Sequence, residues 1–393
     1  MNYILFDEAL TRLQLLPFTF TRPVSEIRIG ILTIKEKWEK VSGQKTSVIT
    51  EEYLAEKYPF VFSKKEDNIW VNGSVLPTAE LFKAIKALKK MEALKSGDIL
   101  IAVNTGREKM EDFIGKTKSI EWIGSPVLKI NHLWDIFSLN GIALELDYKL
   151  LTKGKKSLKV SKTNTLLGKN IFIEKGAKLE CAILNSTTGP IYIGKDAEVM
   201  EGSVIRGPFA LGEGATIKAG AKIYGPTTVG PHSKVGGEVS NSVIFGYSNK
   251  GHDGFLGNSV IGEWCNLGAD TNTSNLKNNY SEVSVYDYSS EKMVPTGLTF
   301  CGLMMGDHSK CSINTMFNTG TVVGVSVNIF GGNFPPKFVP SFSWGGSGGF
   351  TTYELPKAFE TAERVFERRH KKFDTIEKSI LEKVFSLTKN KQQ

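Results

Sequence analysis

The residue of this chain best suited to acid–base chemistry is His252, which lies in a glycine-rich stretch at residues 249–257. Gly251 precedes it and Gly254 follows, so a ligand can approach the imidazole closely. Histidine titrates near neutral pH, which suits a base that takes a proton from an amine as the amine attacks a thioester. A lone histidine is more often structural, so the surrounding sequence has to decide between the two roles.

The charge balance indicates anionic partners. The 393 residues include 49 lysines and arginines and 41 acidic residues, a formal net charge of +8. Phosphorylated small molecules would satisfy that charge as well as nucleic acid would. Lysine is spread over the whole chain, and no basic block is interleaved with aromatic residues, so we expect no nucleic-acid partner. The four cysteines show no CxxC spacing, so we predict neither a disulfide framework nor a zinc site and assign no metal ligands.

The element that must position His252 is a repeat with a strict period of six. Its aliphatic positions are Ile193, Val199, Ile205, Leu211, Ile217, Ile223, Val229 and Val235. A helix would bury positions three and four apart and a strand positions two apart, so a period of six requires a chain that turns a corner between buried residues. The pattern predicts a left-handed parallel β-helix built from hexapeptide repeats.

Small residues and glycines support this interpretation. Four residues after most of the aliphatics comes a small side chain, with Phe209 as the exception: Ala197, Ser203, Ala215, Ala221, Thr227 and Ser233. Small residues let the backbone bend at the corners of a narrow triangular core. A series of β-hairpins is the alternative, but it would show alternation and turn pairs such as Asn-Gly. Coils of a solenoid cover each other's open edges, so the ends need caps.

The rest of the chain divides around this repeat. Residues 1–150 alternate between β-rich runs and a helix predicted at 79–95, which indicates a doubly wound α/β domain with parallel strands. Residues 151–165 are polar and basic and read as a linker. We place the β-helix at 166–335, followed at 336–393 by a flexible glycine-rich loop (338–350) and one amphipathic C-terminal helix.

Residues 11–34 resemble the opening motif of sugar-1-phosphate nucleotidylyltransferases. In that family a glycine-rich turn ends in Gly-Thr-Arg and is followed by Pro-Leu-Thr, Pro-Lys-Pro and a glycine. This chain has, in the same order, Thr11-Arg12, Pro17-Phe18-Thr19, Arg22-Pro23 and Gly30. The resemblance implies a nucleotide site at the carboxyl ends of the strands, with Arg12, Arg22 and Arg28 binding phosphate. Surface or sheet-edge salt bridges are the alternative role for these arginines.

Two departures from that family concern the nucleotide site. Asp7 and Glu8 stand where the family has glycines, which adds negative charge beside a phosphate. Asn72 matches the family's aspartate that holds Mg²⁺, and a neutral amide is a poor ligand for a hard cation. We therefore assign Asn72 to the nucleotide site, leave Mg²⁺ open as a cofactor of this domain, and expect its nucleotidyl transfer to be weak or altered.

Residues 251–275 resemble the acetyltransferase half of the bifunctional enzymes that make UDP-N-acetylglucosamine. That family carries Gly-His-x-x-Tyr-x-Gly, then Asn-x-Gly-Ala-Gly-Thr, then an asparagine that ends a turn. The matching positions follow without a gap: Gly251-His252, Phe255 in place of the tyrosine, Gly257, residues 266–271, and Asn275. The family's pattern implies His252 as general base, with Asn266 and Asn275 contacting sugar or carbonyl and Phe255 beside the sugar phosphate. Lys250 and Lys277 are the nearest cations to hold that phosphate.

The order of these segments resembles a short, divergent bacterial branch of that bifunctional family. The resemblance implies acetyl transfer from acetyl-CoA to an amino-sugar 1-phosphate, with glucosamine 1-phosphate expected, joined to a nucleotidyltransferase-like domain. Alternatives are thymidylyl transfer to glucose 1-phosphate and a non-catalytic nucleotide-sugar sensor on a trimeric scaffold. We expect a homotrimer without a membrane span, and the N-terminal residues lack a signal peptide, which favours the cytoplasm.

Overall fold

Contacts divide the chain into two compact units. The structure, a computed structural model, describes residues 1–106 and 116–389. Unit 1 consists of Met1–Leu15, Arg22–Ile27 and Leu32–Asn131, and unit 2 of Leu16–Thr21, Arg28–Ile31 and His132–Gln393. In the described ranges, none of the helices has the length and apolar character needed to span a membrane.

Unit 1 is a six-stranded sheet with short helices. The strands in spatial order are Ser47–Ile49, Asn2–Phe6, Asn68–Asn72, Ile99–Gly106, Glu92–Ser96 and Lys118–Glu121. The helices are Ala9–Gln14, Ile34–Ser42 and Ala79–Lys86, with 3₁₀ turns at Val24–Glu26 and Glu52–Leu54. Thr33 caps the helix Ile34–Ser42 in a capping box with Glu36, which satisfies two backbone donors at its start.

Two predictions for unit 1 are corrected by its sheet. The strand Ile99–Gly106 runs antiparallel to both neighbours, so the sheet is mixed, whereas we predicted parallel strands. Gly97, at φ +53°, makes the tight turn that forces this hairpin. The predicted helix at 79–95 ends at Lys86, because Met91 adopts φ +70° and the chain re-enters the sheet at Glu92.

Unit 2 contains the predicted left-handed parallel β-helix, and its three faces are sheets of parallel strands except for the last strand of the third face, which is antiparallel. The first face is formed by Thr165–Leu167, Ile183–Asn185, Val204–Arg206, Lys222–Tyr224, Glu238–Ser240 and Phe255–Gly257. The second face is formed by Ile171–Ile173, Ile191–Ile193, Phe209–Leu211, Thr227–Val229, Val243–Ile244, Val260–Ile261, Met304–Met305, Val322–Val323 and Phe338–Val339. The third face is formed by Lys178–Leu179, Glu198–Val199, Thr216–Ile217, Lys234–Val235, Asn249–Lys250, Asn266–Leu267, Lys310–Cys311, Asn328–Ile329, Ser343–Gly346 and Gly349–Thr352.

The remaining elements of unit 2 flank these faces. Asn272–Thr273 pairs in parallel with Met316–Phe317, and Ser284–Asp287 forms an antiparallel hairpin with Lys292–Pro295. The helices are Asp135–Ser138, Asn140–Thr152, Leu355–Glu367 and Thr375–Thr388, with a 3₁₀ turn at Phe18–Phe20.

The interior of the β-helix is the predicted aliphatic series. All eight residues of the six-residue repeat are at most 1% exposed and belong to one apolar cluster. The small residues at the corners are fully buried, and Phe209, the exception in that series, is 1% exposed. Stacking one aliphatic column on the next removes apolar surface from water in every coil, which is the main stabilising contribution of a solenoid.

Other parts of unit 2 cover the second face. Asn140, at the start of the helix Asn140–Thr152, accepts hydrogen bonds from the Gly30 amide (2.7 Å) and the Thr228 hydroxyl (3.1 Å). Phe18 packs against Phe245, with ring centroids 5.3 Å apart. This face is therefore partly covered by segments that precede the β-helix in the sequence, around Phe18, Gly30 and Asn140.

The C-terminal region differs from its prediction in two respects. Its helix is broken in two between Glu367 and Thr375, and Asp374 caps the second helix by accepting from the Glu377 amide at 3.0 Å. The glycine-rich segment predicted as a flexible loop instead contains three strands, of which Ser343–Gly346 and Gly349–Thr352 form a hairpin. Gly345 at φ +152° and Gly349 at φ +123° allow that hairpin.

Candidate active site

His252 lies at an exposed corner of the β-helix. The corner is the loop at residues 251–254, which connects Asn249–Lys250 on the third face to Phe255–Gly257 on the first. The side chain is exposed, and within residues 1–106 and 116–389 no hydrogen bond occupies its imidazole nitrogens. Gly254 has φ +109°, and a Cβ there would lie 2.2 Å from the Thr271 carbonyl oxygen, so only glycine fits. The imidazole is therefore accessible to a ligand.

Lys250 does not lie where the sequence placed it. Its side chain points into the β-helix and is 3% exposed. The ammonium donates to the carbonyl oxygens of His252 (2.6 Å) and Asp253 (3.2 Å). Burial lowers the pKa of Lys250 to about 8, although the nearby charge of Asp253 acts in the opposite direction. This environment contradicts the predicted contact between Lys250 and a sugar phosphate.

Phe255, on the first face, lies beside Asn275, which follows the strand Asn272–Thr273. The Asn275 side-chain amide donates to Asn258 Oδ1 at 2.8 Å, and the Phe255 backbone amide donates to Asn272 Oδ1 at 2.8 Å. A Cβ on Gly257 would lie within 2.6 Å of both the Phe255 ring and Asn275 Nδ2, so this glycine lets the two side chains meet. Phe255 therefore offers a half-buried ring beside an amide cluster, an arrangement suited to a sugar.

A pair of lysines lies beyond Asn275. The Lys277 ammonium donates to the Glu282 carbonyl oxygen, and Leu276 forms a β-bridge with Phe300. Lys337 has its pKa lowered by burial and by the positive charge of Lys277. Two cations that repel each other favour an anion between them. Lys337 was missed by sequence reasoning, because it follows Lys277 by sixty residues and carries no motif.

Asn266 is exposed on the third face and is the end of a hydrogen-bond chain. Arg369, just after the helix Leu355–Glu367, donates to Asn249 Oδ1 at 2.9 Å. Asn249 in turn donates through Nδ2 to Asn266 Oδ1 at 3.3 Å. These two bonds fix the orientation of the Asn266 side chain through its Oδ1. Its NH₂ group remains available to donate to an acceptor. Sequence reasoning missed Arg369 as an individual residue, although it lies in a basic cluster at 368–372.

In unit 1, the Arg12 guanidinium is already occupied. It forms an ion pair with Asp7 at 2.8 Å and donates to the Arg22 carbonyl oxygen (3.1 Å) and Thr50 (3.1 Å). The side chains of Arg12 and Asp7 are 8% and 5% exposed. Asp7 also accepts from the Val24 amide at 2.9 Å. This network contradicts the prediction that Arg12 is a phosphate ligand, because it uses the guanidinium to neutralise a buried carboxylate.

The other residues assigned to the nucleotide site are also buried or separated. Arg22 is 4% exposed, and Arg28 belongs to unit 2, where it donates to the Ile31 carbonyl oxygen. The Asn72 Oδ1 accepts from the amide and hydroxyl of Ser74, and its Nδ2 donates to the Leu100 carbonyl oxygen. The Asn72 side chain also hydrogen-bonds Glu8, so it is engaged at the end of its strand, and its assignment to the nucleotide site stays a prediction.

These residues do not fit a Mg²⁺ site. A hard divalent cation needs free carboxylate or carbonyl oxygens, whereas Asp7 is neutralised by Arg12 and Asn72 is saturated by Ser74. In the two described ranges, no group of three His, Cys, Asp or Glu side chains is placed to hold a metal ion.

One cluster at the carboxyl ends of the strands in unit 1 was missed by the sequence assignment. Lys129 Nζ lies 2.6 Å from Glu8 Oε2 and 3.1 Å from Thr11 Oγ1. The Lys129 side chain is 9% exposed, whereas Glu8 is 42% exposed. Hydrogen bonds from Lys129 and Thr11 lower the pKa of Glu8 and outweigh the effect of its burial. Nothing in the sequence links Lys129 to the motif at residues 11–34.

Comparison with known proteins agrees with the resemblance seen in the sequence. Residues 3–156 match the sugar nucleotidyl transferase family. The chain is similar to bifunctional GlmU proteins. A bifunctional sugar-1-phosphate nucleotidylyltransferase/acetyltransferase of Sulfurisphaera tokodaii is 36% identical over 146 residues, 37% of this chain and 36% of that protein. Bifunctional protein GlmU of Methanocaldococcus jannaschii is 34% identical over 87 residues, 22% of this chain and 21% of that protein.

These relatives are matched only in part, because the matches cover about a third of one GlmU-like protein and a fifth of the other. Among solved structures, a UDP-N-acetylglucosamine acyltransferase from Campylobacter jejuni is similar at a TM-score of 0.30 and 11% identity, over 56% of this chain and 94% of that chain. A likeness of this strength says nothing about activity.

Proposed function

We propose that the chain transfers an acetyl group from acetyl-CoA to the amine of an amino-sugar 1-phosphate, with glucosamine 1-phosphate as the expected acceptor. The observation that carries this proposal is the position of His252. Its imidazole is exposed and its nitrogens are open, and the buried Lys250 side chain hydrogen-bonds the backbone of its loop. The names of the partly matched relatives, which include acetyl transfer and sugar-1-phosphate chemistry, support it.

The reaction needs a base and a site that stabilises negative charge. As the amine nitrogen attacks the thioester carbonyl carbon, the N–C bond forms and His252 takes the amine proton. The carbonyl oxygen then carries negative charge, which the open amide NH₂ of Asn266 can stabilise by a hydrogen bond. The C–S bond breaks, and the coenzyme A sulfur leaves and receives a proton. The products are an N-acetyl sugar phosphate and the free thiol.

The acceptor is placed by the groups on the other side of His252. Phe255 and Asn275 would contact the sugar ring, and Lys277 with Lys337 would bind its phosphate. Lys277 and Asn275 keep the roles that the sequence gave them, whereas Lys337 replaces Lys250. A coupled assay with acetyl-CoA, glucosamine 1-phosphate and UTP, in which free thiol and pyrophosphate are followed separately, tests the proposal. Thiol release without dependence on the amino sugar would overturn it.

Nucleotidyl transfer by unit 1 is expected to be poor. Positioning and Mg²⁺ carry most of phosphoryl-transfer catalysis, and neither Asp7 nor Asn72 is free to serve a metal. With UTP or dTTP, a sugar 1-phosphate and Mg²⁺, we expect pyrophosphate release at least about hundredfold slower than thiol release. Rapid release that a chelator abolishes would show that unit 1 is an active thymidylyl- or uridylyltransferase.

That outcome would also require a metal-binding carboxylate arrangement that residues 1–106 and 116–389 do not contain. Asp135 and Asp147 are two further carboxylates that could serve a metal, and each is hydrogen-bonded in unit 2: Asp135 accepts from the His132 amide at 2.9 Å, and Asp147 accepts from the Ile31 amide at 2.8 Å. If unit 1 instead binds UTP or a nucleotide sugar without turnover, a sensor role is favoured for it.

We expect the chain to form a homotrimer through the first face of the β-helix. Ile183 and Val204 are neighbours in register on this face and Tyr224 lies in the adjacent outward column; they are 39%, 38% and 42% exposed, which leaves apolar side chains in water. Light scattering should give three times the chain mass of 43.3 kDa. Val204→Lys should dissociate the trimer, whereas Lys178→Glu on the third face should not. A monomer at all concentrations would contradict the prediction.

A further inference from the structure

Lys250 occupies a position that every neighbouring coil fills with an apolar side chain. In the register of the third face it follows Val235 and stands beside Leu267, and it is 3% exposed. Ile217 and Val199 continue the same column. A lysine in this column exposes no charge to solvent and forfeits the apolar contact that valine or leucine would make. Core packing therefore does not explain why the residue is a lysine.

The ammonium has two partners, and both belong to the loop at residues 251–254. It lies 2.6 Å from the His252 carbonyl oxygen and 3.2 Å from that of Asp253. Asp253, Asp270 and Cys311 are the other titratable groups that act on it, and their charges oppose the effect of its burial. Hydrogen bonds from a charged donor to carbonyl oxygens are stronger than neutral ones, particularly away from water.

The loop packs on the preceding coil, where a Cβ on Gly237 would lie 2.9 Å from the His252 carbonyl oxygen, but packing alone leaves its middle residues few hydrogen bonds. Two of its four residues are glycine, and a Cβ on Gly251 would meet nothing within 4 Å. The carbonyl oxygens of Lys250 and Gly254 accept hydrogen bonds from the preceding coil, from the amides of Gly236 (2.7 Å) and Glu238 (3.2 Å). Between Lys250 and Gly254, the backbone of His252 is held by its hydrogen bond from the Lys250 ammonium, which lies inside the β-helix.

We infer that Lys250 is a positioning residue for acetyl transfer: from inside the β-helix it fixes the His252 backbone, and thereby the direction of the imidazole. The inference rests on the proposed role of His252 as the base. Lys250 does not touch the substrate in this account. It acts only by limiting the orientations that His252 can adopt.

The test is Lys250→Met, which keeps the length of the side chain and fits an apolar column. We expect turnover to fall about tenfold to hundredfold, as a displacement of a catalytic group by about 1 Å can produce. The melting temperature should not fall, because the variant removes a buried charge and leaves the column filled. Acetyl-CoA affinity should stay within about twofold of the wild type.

Ile217→Ala is the matched control, because Ile217 lies in the same column two coils earlier and is fully buried. It should lower the melting temperature. At temperatures where the variant is still folded, its turnover should be nearly unchanged. Turnover of Lys250→Met within about twofold of the wild type would overturn the inference. So would a loss of turnover that Ile217→Ala reproduces, since the effect would then follow from stability alone.

Hydrogen exchange measured by mass spectrometry separates this inference from the proposed function. Amides of residues 251–254 should exchange faster in Lys250→Met than in the wild type, and Ile217→Ala should leave them unchanged. If the wild type transfers no acetyl group but this exchange result is obtained, the proposed function fails while the anchoring role of Lys250 stands. Unchanged exchange in Lys250→Met overturns the anchoring role, whatever the activity.

Discussion

Replacing His252 with alanine should lower the turnover of acetyl transfer by about 10²–10⁴, the usual contribution of a general base. The affinity for acetyl-CoA should be nearly unchanged, because the imidazole acts on the amine and not on the coenzyme. The side chain is exposed and makes no hydrogen bond with residues 1–106 and 116–389. Its removal should therefore change the free energy of unfolding by less than about 0.5 kcal/mol. Thiol release, coenzyme binding and thermal unfolding of this variant measure the three effects.

His370→Asn is the control for the His252 prediction. His370 is exposed and lies after the helix Leu355–Glu367, and asparagine tolerates its φ of +53°. This variant should keep its turnover. Unchanged turnover in His252→Ala would end the assignment of His252 as the base, and a large drop in its melting temperature would show that the residue is structural.

Replacing Arg12 with alanine should destabilise unit 1 by about 3–5 kcal/mol, because it leaves the buried Asp7 carboxylate without its ion-pair partner. Burial already raises the pKa of Asp7, and Arg12 is the charge that opposes this. In the variant the pKa should rise further. A carboxyl whose folded pKa lies above its unfolded value destabilises the fold most at high pH, where it is ionised. The stability lost in Arg12→Ala should therefore become smaller as pH falls towards the folded pKa of Asp7.

A double-mutant cycle checks this assignment of Arg12. Arg12→Ala combined with Asp7→Asn should recover much of the stability, since the double variant contains no uncompensated charge. Lys45→Ala removes the exposed partner of Glu39, whose own side chain is 16% exposed, and should cost much less stability than Arg12→Ala. If Arg12→Ala unfolds normally but loses affinity for a nucleotide or sugar phosphate, Arg12 is a phosphate ligand after all.

The β-helix could be predicted because each coil repeats one physical requirement. The eight aliphatic positions are all buried, and the glycine-flanked loop around His252 is exposed as expected. Lys250 was misassigned because the period changes just before it. Val199, Ile217 and Val235 are spaced by eighteen residues in the column, whereas Lys250 follows Val235 by fifteen. Counting in sixes from Val235 therefore misses the core position that Lys250 occupies.

Contacts between residues far apart in sequence could not be predicted in the same way. Arg12 was assigned to phosphate and its pairing with Asp7 was not predicted, because the local order of residues carries no information about burial. Lys129 joins Glu8 across 121 residues, and Arg369 reaches Asn249 across 120. The mixed sheet of unit 1 was missed because one tight turn at Gly97 decides its strand direction.

The central claim is that the chain acetylates the nitrogen of an amino-sugar 1-phosphate. The most direct measurement supplies isotope-labelled acetyl-CoA and glucosamine 1-phosphate and identifies the labelled product by mass spectrometry and NMR. The account predicts one label per sugar, on nitrogen, with release of one thiol per label and loss of both in His252→Ala. Label on a hydroxyl, or no transfer to glucosamine 1-phosphate by the folded wild-type protein, would contradict it.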